Sequence, residues 1–569
     1  MIYGKHIAAL CIPKIHDDTN HKLIESLGRS LYRHGIKLLV YATPSELFWH
    51  TVDESGEKAV FDLINYDITD AVIIHTQGIK DKETVDSIIG KAQAHSVPVI
   101  TIGEQRPGCF GVSFNYKTGF EKIVRHVLQD HKISNFHFIA GQKGNHFSDE
   151  RQEIVQKVAQ ELDIPFGDED VSYGEFWSRP TEEAVERLFT VRRRFPRAII
   201  CANDSMAIAT VNVLKKHGKR IPDDVIVTGF DGISEIKYSI PSITTCFCSS
   251  DHLAESITDI VMETISGNTK PEYRLVEPEL WRAESCGCPG RSYISPSEEL
   301  TYVNNSFYRF QAEEEHMFRM ISRILECQSF PQISELFDDH VFYDMMIALN
   351  RECTDRTINP MERRTDRAFG DNVRIIFNAN RPGSGWVDDF APSDLCPGLE
   401  DMLNGHEHPL IFFSLNYVGI PMGYVCFNYF NYDVQNYYKA SQIVNTLNCG
   451  FGAFRVAQYQ HYLSEKIEEM YRCDGLTHLL NSTALKNSYQ FLHQKCGSTM
   501  TVVLADLDGL KHINDTYGHD DGDFAICTVA QALRMSCPED SLCVRWGGDE
   551  MVAVIPGTVS ADSRRDDID

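Results

Sequence analysis

Toward the C-terminal end of the chain, carboxylates and glycines are interleaved at close spacing. Asp506-Leu507-Asp508-Gly509-Leu510-Lys511 comes first, then Asn514 and Asp523, and then Arg545-Trp546-Gly547-Gly548-Asp549-Glu550-Met551. Carboxylate and backbone carbonyl oxygens are hard donors suited to Mg²⁺. Glycine lets backbone approach a phosphate chain without a Cβ in the way. Together these residues fit metal-assisted chemistry at a phosphorus centre. For that chemistry the carboxylates must be held at one point by rigid elements.

The flanking sequence supplies such elements. Thr501-Val502-Val503-Leu504-Ala505 reads as a buried strand ending in an acidic turn. Leu542–Trp546 and Met551–Ile555 read as two strands joined through Gly-Gly-Asp-Glu, a hairpin with carboxylates at its tip. With Asp474-Gly475-Leu476-Thr477-His478-Leu479-Leu480-Asn481 upstream, the ordered motifs resemble the GGDEF family of diguanylate cyclases. The resemblance implies condensation of two GTP into cyclic di-GMP with release of pyrophosphate. Each domain would hold one GTP, so two domains must face each other in a homodimer. Carried over by position, Asp506 and Asp549 would bind Mg²⁺ with the Leu507 carbonyl, and Glu550 would assist at the metal or activate the attacking hydroxyl. Asn514 and Asp523 would read the guanine edge; the backbone at Gly509, Leu510 and Lys511 would cradle phosphate, and Gly547 and Gly548 would give it room. Met551 stands where the family usually has Phe, and Leu510 where an aromatic is common. The family's product-inhibition Arg-x-x-Asp is replaced by Pro538-Glu539-Asp540-Ser541. The polar run 560–569 matches none of the family's later elements, so the domain reads as C-terminally incomplete. The alternative is a degenerate GGDEF protein acting as a sensor, or as a GTP-binding or interaction module, without turnover.

From His6 onward, strand-like runs alternate with helical patterns: His6–Ile12, a helix near 20–34, Ile36–Tyr41, Ala71–His75, a helix over 84–95, and Pro98–Ile102. A second series runs through Phe136–Gly141, Arg197–Cys201 and Val225–Asp231. This rhythm predicts a two-lobed, doubly wound parallel α/β fold. Ala202-Asn203-Asp204-Ser205-Met206-Ala207, Ile221–Gly232 and Pro241-Ser242-Ile243-Thr244-Thr245 resemble the effector-binding domain of lac-repressor-type regulators, which has the type I periplasmic-binding-protein fold. The resemblance implies a small polar effector, a sugar or nucleoside, in the cleft between lobes. Asn203, Asp231 and Arg151 would contact it, although Arg151 lacks the family's following Gly-Phe. Asn and Asp at such places also cap helices and fix turns. Trp177 could stack on a sugar or purine, or sit in the core.

At 569 residues the chain must divide into several domains. We read 1–285 as the effector domain, 286–433 as a helical segment plus a GAF-like α+β domain, 434–473 as a signalling helix and 474–569 as the GGDEF domain. Helices are expected over 298–327 and 333–350. Ile443, Leu447, Phe451 and Phe454 follow heptad-like spacing, and Cys449-Gly450-Phe451-Gly452 marks either a hinge or close packing. A net charge of -27 disfavours nucleic acid and anionic lipid. The chain enters its first strand with no DNA-reading helix, and no apolar run is long enough to span a membrane. Seventeen cysteines, an odd number, suit a reducing compartment, so a cytoplasmic location is expected. Cys246/Cys248 and Cys286/Cys288 lack a second pair at zinc-finger spacing and read as unmetallated thiols.

Overall fold

Continuous apolar runs, buried on both faces, build two parallel sheets in the first half of the chain. The computed structural model describes residues 5–191, 195–268, 270–289, 314–315, 317–338, 345–362, 369–379, 389–405, 407–428, 434–495 and 499–557. It divides into two units, Met1–Asp355 with Pro360–Phe454, and Arg356–Asn359 with Arg455–Asp569.

In the first unit, β1 (His6–Pro13), β2 (Ile36–Thr43), β3 (Ala71–His75), β4 (Val99–Ile102) and β5 (Phe110–Phe114) form the first lobe. Here β1 lies between β2 and β3, all parallel. The second lobe holds β6 (Phe136–Ala140), β7 (Val171–Tyr173), β8 (Ala198–Cys201) and β9 (Ile226–Thr228), in the order β7-β6-β8-β9. Next in the chain come β10 (Thr245–Phe247), β11 (Tyr273–Val276) and β12 (Glu279–Trp281); β11 joins the first lobe beside β5, while β10 and β12 pair with each other.

The strands expected to make a separate GAF-like domain are β14 (Val373–Asn378), β15 (Leu410–Tyr417) and β16 (Ile420–Phe427), and the structure adds β13 (Met345–Asn350) to them. They extend the first lobe instead. Leu410, Ile411 and Phe412 of β15 pair in parallel with Leu39, Val40 and Tyr41 of β2, giving one ten-stranded sheet. The β15–β16 hairpin turns at Val418 and Gly419, both at positive φ. A Cβ on Gly419 would lie 2.3 Å from the Val52 carbonyl oxygen, so glycine lets the turn close against the helix Val52–Glu57. The helix expected over 333–350 ends early: Phe330–Glu335 is helical, whereas Met345–Asn350 is a strand. A short apolar run buried on both faces suits either structure by pattern, and here pairing to β14 and β16 decides it. Of the helix expected over 298–327, the part before residue 314 lies outside the described residues.

The helix Val434–Arg472 passes unbroken through Gly450 and Gly452. Ile443, Leu447, Phe451 and Phe454 are all buried, packed with Ile347, Phe330 and Phe337 in one core. The heptad-like stripe is therefore used inside this unit. Among the described residues no helix is long and apolar enough to cross a membrane.

The second unit contains β17 (Leu480–Asn481), β18 (Met500–Asp506), β19 (Leu542–Gly547) and β20 (Glu550–Pro556), in the order β17-β19-β20-β18. The helix His519–Ser536 covers one face through Ile526, Ala530 and Leu533, packed on Met551 and Ala553. Met551 is fully buried, so it fills the expected aromatic position as core. The run Thr501–Ala505 is a strand but not a buried one: Val502 and Leu504 are exposed. β18 is an edge strand; its alternate residues Val503 and Ala505 pack on the helix-covered core, and Met500 packs at its other end.

Candidate functional site

The hairpin of the second unit brings the acidic residues to one end of its sheet. β18 and β20 pair with Asp506 opposite Glu550. Between β19 and β20 the register shifts so that Gly547 also faces Glu550 and Trp546 is the extra residue. Such a bulge bends a strand and re-aims its neighbours. Gly548, at φ +45, completes the turn. The Leu507 amide donates to the Asp549 carbonyl at 3.3 Å, tying the end of β18 to the tip.

Arg545 holds this tip. Its Nε and Nη2 donate to the Gly548 carbonyl at 2.9 and 2.6 Å, and its Nη1 donates to Asp474 Oδ1 at 2.9 Å. Burial would raise the Asp474 carboxyl, but hydrogen bonds from Thr477 and Arg545 outweigh that and hold it below the usual carboxylate range. Sequence reasoning gave Arg545 no role, because nothing local links it to a partner 71 residues away.

The expected guanine readers lie on two helices, Leu510–Tyr517 and His519–Ser536, with Gly518 at φ +102 between them. Gly522 is where close approach matters: a Cβ there would fall 1.8 Å from Asn514 Oδ1. The Asn514 amide therefore lies against the turn that carries Asp523. Leu510–Tyr517 starts at Gly509 with no side-chain cap, leaving early amides for another acceptor. Space is open beside Gly509, Gly547 and Gly548.

The donor set here, carboxylates of Asp506 and Asp549 with the Leu507 carbonyl, fits Mg²⁺ chemically. Among the described residues Asp506, Asp549 and Glu550 do not converge as a three-carboxylate cage. Mg²⁺ needs no such cage, since it keeps waters and takes one or two carboxylates plus phosphate oxygens.

In the first unit a cavity of about 690 Å³ is lined by residues of both lobes, including Gln77, Lys80, Arg106, Tyr116, Arg151 and Asp231. Asp231 follows β9 at its carboxyl end with φ +108. Arg151 is buried; Nη1 donates to the Ala202 carbonyl at 2.6 Å and Nη2 to Asp231 Oδ1 at 3.3 Å. Its guanidinium lies 4.6 Å from the Phe230 ring centre. The Asp231 side chain, 39% exposed, borders the cavity. Loss of hydration pushes its carboxyl up to about 6, with Arg151 pulling the other way.

Asn203 does not line this cavity. Its Oδ1 accepts from the Met206 amide at 2.9 Å and its Nδ2 donates to the Phe176 carbonyl at 3.3 Å, so it caps the helix Asp204–Lys216. Trp177 is 74% exposed and away from the lining. Sequence reasoning missed Gln77, Lys80, Glu104 and Arg106, which follow β3 and β4. Carboxyl ends of parallel strands are where such ligands gather, so the segments after His75 and Ile102 carried a usable signal.

Comparison with known proteins falls into the same two parts. Residues 471–566 match the family described as diguanylate cyclase, GGDEF domain, and residues 124–286 match the periplasmic binding protein-like domain. Diguanylate cyclase DgcM of Escherichia coli (strain K12) is 35% identical over 102 residues, which is 17% of this chain and 25% of that protein. The probable HTH-type transcriptional repressor ExuR of Bacillus subtilis (strain 168) is 27% identical over 195 residues, 33% of this chain and 57% of the repressor. The chain thus spans a quarter of the first relative and under two thirds of the second. Among solved structures, the Escherichia coli transcriptional repressor ascG matches with a TM-score of 0.40 at 20% identity, over 49% of this chain and 99% of that one.

Proposed function

We propose that this chain, which joins a lac-repressor-type periplasmic-binding-like domain to a GGDEF domain at 471–566, is a ligand-regulated diguanylate cyclase that condenses two GTP to cyclic di-GMP. The observation that carries the reading is the gathering of Asp506, Leu507, Asp549 and Glu550 at one end of the sheet, with the tip locked by Arg545. Asp506 and Asp549, with the Leu507 carbonyl, would hold Mg²⁺. When bound, the ion neutralises phosphate charge and eases attack by a ribose 3′-hydroxyl. Glu550 assists there or takes the hydroxyl proton. Asn514 and Asp523 address guanine, the amides after Gly509 receive phosphate, and Gly547 and Gly548 leave it room.

Two such sites must meet, so the active form is a homodimer. Beyond the stripe buried in the first unit, the helix Val434–Arg472 exposes Leu463, Ile467 and Met470 at alternating steps of four and three. That is the seam a second copy would cover.

The effector is a small polar molecule, a sugar or nucleoside, held between the lobes by Arg151 and Asp231. Its effect requires that one arrangement of the lobes bind it more tightly. The test is cyclic di-GMP formation by the full chain with GTP and Mg²⁺ across a panel of sugars and nucleosides. At least one should change the rate several-fold and raise the melting temperature, and Arg151→Ala should remove both effects. A panel with no effect on either readout would remove the regulatory half of the proposal.

A further inference from the structure

We infer that His126, His131, Cys286 and Cys288 form a structural zinc site that fastens the end of the second lobe to the segment crossing between lobes. All four ligand atoms lie within 4.8 Å of one another. His126 Nε2 is 3.2 Å from His131 Nε2, 3.4 Å from Cys286 Sγ and 3.7 Å from Cys288 Sγ. His131 Nε2 is 3.6 Å from Cys288 Sγ. A tetrahedral ion with Zn–N of about 2.05 Å and Zn–S of about 2.3 Å needs edges of about 3.3 Å for N–N and about 3.6 Å for N–S. The four separations match those edges within a few tenths of an ångström.

Local backbone explains how ligands so far apart in sequence meet. The helix Tyr116–Arg125 widens into a π-turn, His126–Asp130, closed by the His131 amide donating to the His126 carbonyl at 3.1 Å. In a regular α-helix, residues five apart stand about 140° apart around the axis. The π-turn instead brings the two rings to 4.6 Å between centres. On the other side Cys286 ends a short 3₁₀ turn, and Gly287, at φ +84, reverses the chain so that both thiols reach the same point.

The surroundings are those of a metal centre. His126 Nδ1 lies 3.0 Å from Asp130 Oδ2. That carboxylate keeps the proton on Nδ1 and leaves the Nε2 lone pair directed at the thiols, the carboxylate–histidine arrangement that orients zinc ligands. Thr244 Oγ1 donates to Cys286 Sγ at 3.0 Å. His126 and Cys286 are buried, while His131 and Cys288 are partly exposed, so an ion has an entry path. Two thiolates and two imidazoles select zinc among common ions, and four protein ligands leave no open position, which makes the site structural. The helical segment that carries His126 and ends at His131 links β5 to β6, so the ion would pin the interlobe crossover to the point where the chain leaves the lobe. The paired cysteines read as simple thiols in the sequence because their partners are two histidines 155 or more residues earlier, at no familiar spacing.

The test is metal analysis by inductively coupled plasma mass spectrometry of the full chain, purified without chelator or affinity metal. We expect about one zinc per chain, reduced at least tenfold in Cys286→Ser/Cys288→Ser and unchanged in Cys248→Ser. Should the double variant fail to fold, wild-type protein stripped by chelator and titrated with Co²⁺ decides. Visible tetrahedral bands with thiolate charge transfer support the site, and octahedral or absent spectra overturn it. Metal-free protein that gains no zinc on addition, or a Cys286–Cys288 disulfide in anaerobically isolated protein, overturns it as well.

Discussion

At Asp231, dehydration and Arg151 act in opposite directions, and dehydration prevails, since the carboxyl is pushed up to about 6. Asp204, fully buried and receiving the Gly232 and Ile233 amides at 2.6 and 3.0 Å, is pushed up strongly by burial and by the Asp231 charge. The sign follows from linkage. Below the unfolded carboxylate range both states are protonated and stability is complete; as pH rises the unfolded chain loses protons that the folded lobe retains, so stability falls. For Asp231 that fall spans about pH 4 to 6, and for Asp204 it continues higher. Thermal unfolding of the full chain between pH 4.5 and 7.5 should therefore show a declining melting temperature. Asp204→Asn, which keeps an acceptor oxygen for both amides but carries no charge, should make the decline shallower. An unchanged slope would contradict the assignment. Asp231 was singled out because strand ends in an open α/β sheet face the ligand crevice, whereas Arg151, on the helix His146–Glu161, came only from the family resemblance; both border the cavity. The cap at Asn203 obeys an equally general local rule, and only the Met206 and Phe176 contacts separate the two.

Many helix and strand identities were legible: the strand Ala71–His75 forms as read, and the helix near 20–34 spans Asp18–Arg33. Met345–Asn350 failed as a helix because five consecutive apolar residues before Asn350 carry no period. The glycines at 450 and 452 left hinge and close packing open, and geometry favours packing. A Cβ on Gly452 would sit 1.9 Å from the Tyr417 ring, whereas one on Gly450 would meet only the tip of Ile324 at 2.8 Å. Alanine gains about 1 kcal/mol over glycine in a helix, but forcing atoms into a packed core costs about 1–3 kcal/mol. Gly452→Ala should thus destabilise the first unit by up to about 2 kcal/mol net in chemical denaturation. Gly450→Ala should be milder, because Ile324 can turn aside. Equal stabilisation by both would restore the hinge reading.

The whole-molecule feature hidden from sequence is the β2–β15 pairing, since parallel partners 371 residues apart leave no local trace. Through it the middle strands share cores with the first lobe, and the helix Val434–Arg472 begins against that lobe. His16 Nδ1 lies 3.2 Å from Ser441 Oγ, and the His21 and Tyr437 rings stand 4.7 Å apart. The first lobe thus touches the helix Val434–Arg472 directly, which would place the input of the proposed switch within one unit. The output rests on the acidic hairpin tip, and the most direct measurement is GTP turnover by the full dimeric chain with Mg²⁺, followed by chromatography. The account predicts cyclic di-GMP and pyrophosphate from wild type, and a loss of at least about a hundredfold in Asp549→Ala, equivalent to about 2.7 kcal/mol in the barrier. Undiminished product from Asp549→Ala, or GTP bound but never converted by the dimeric wild type, would contradict it.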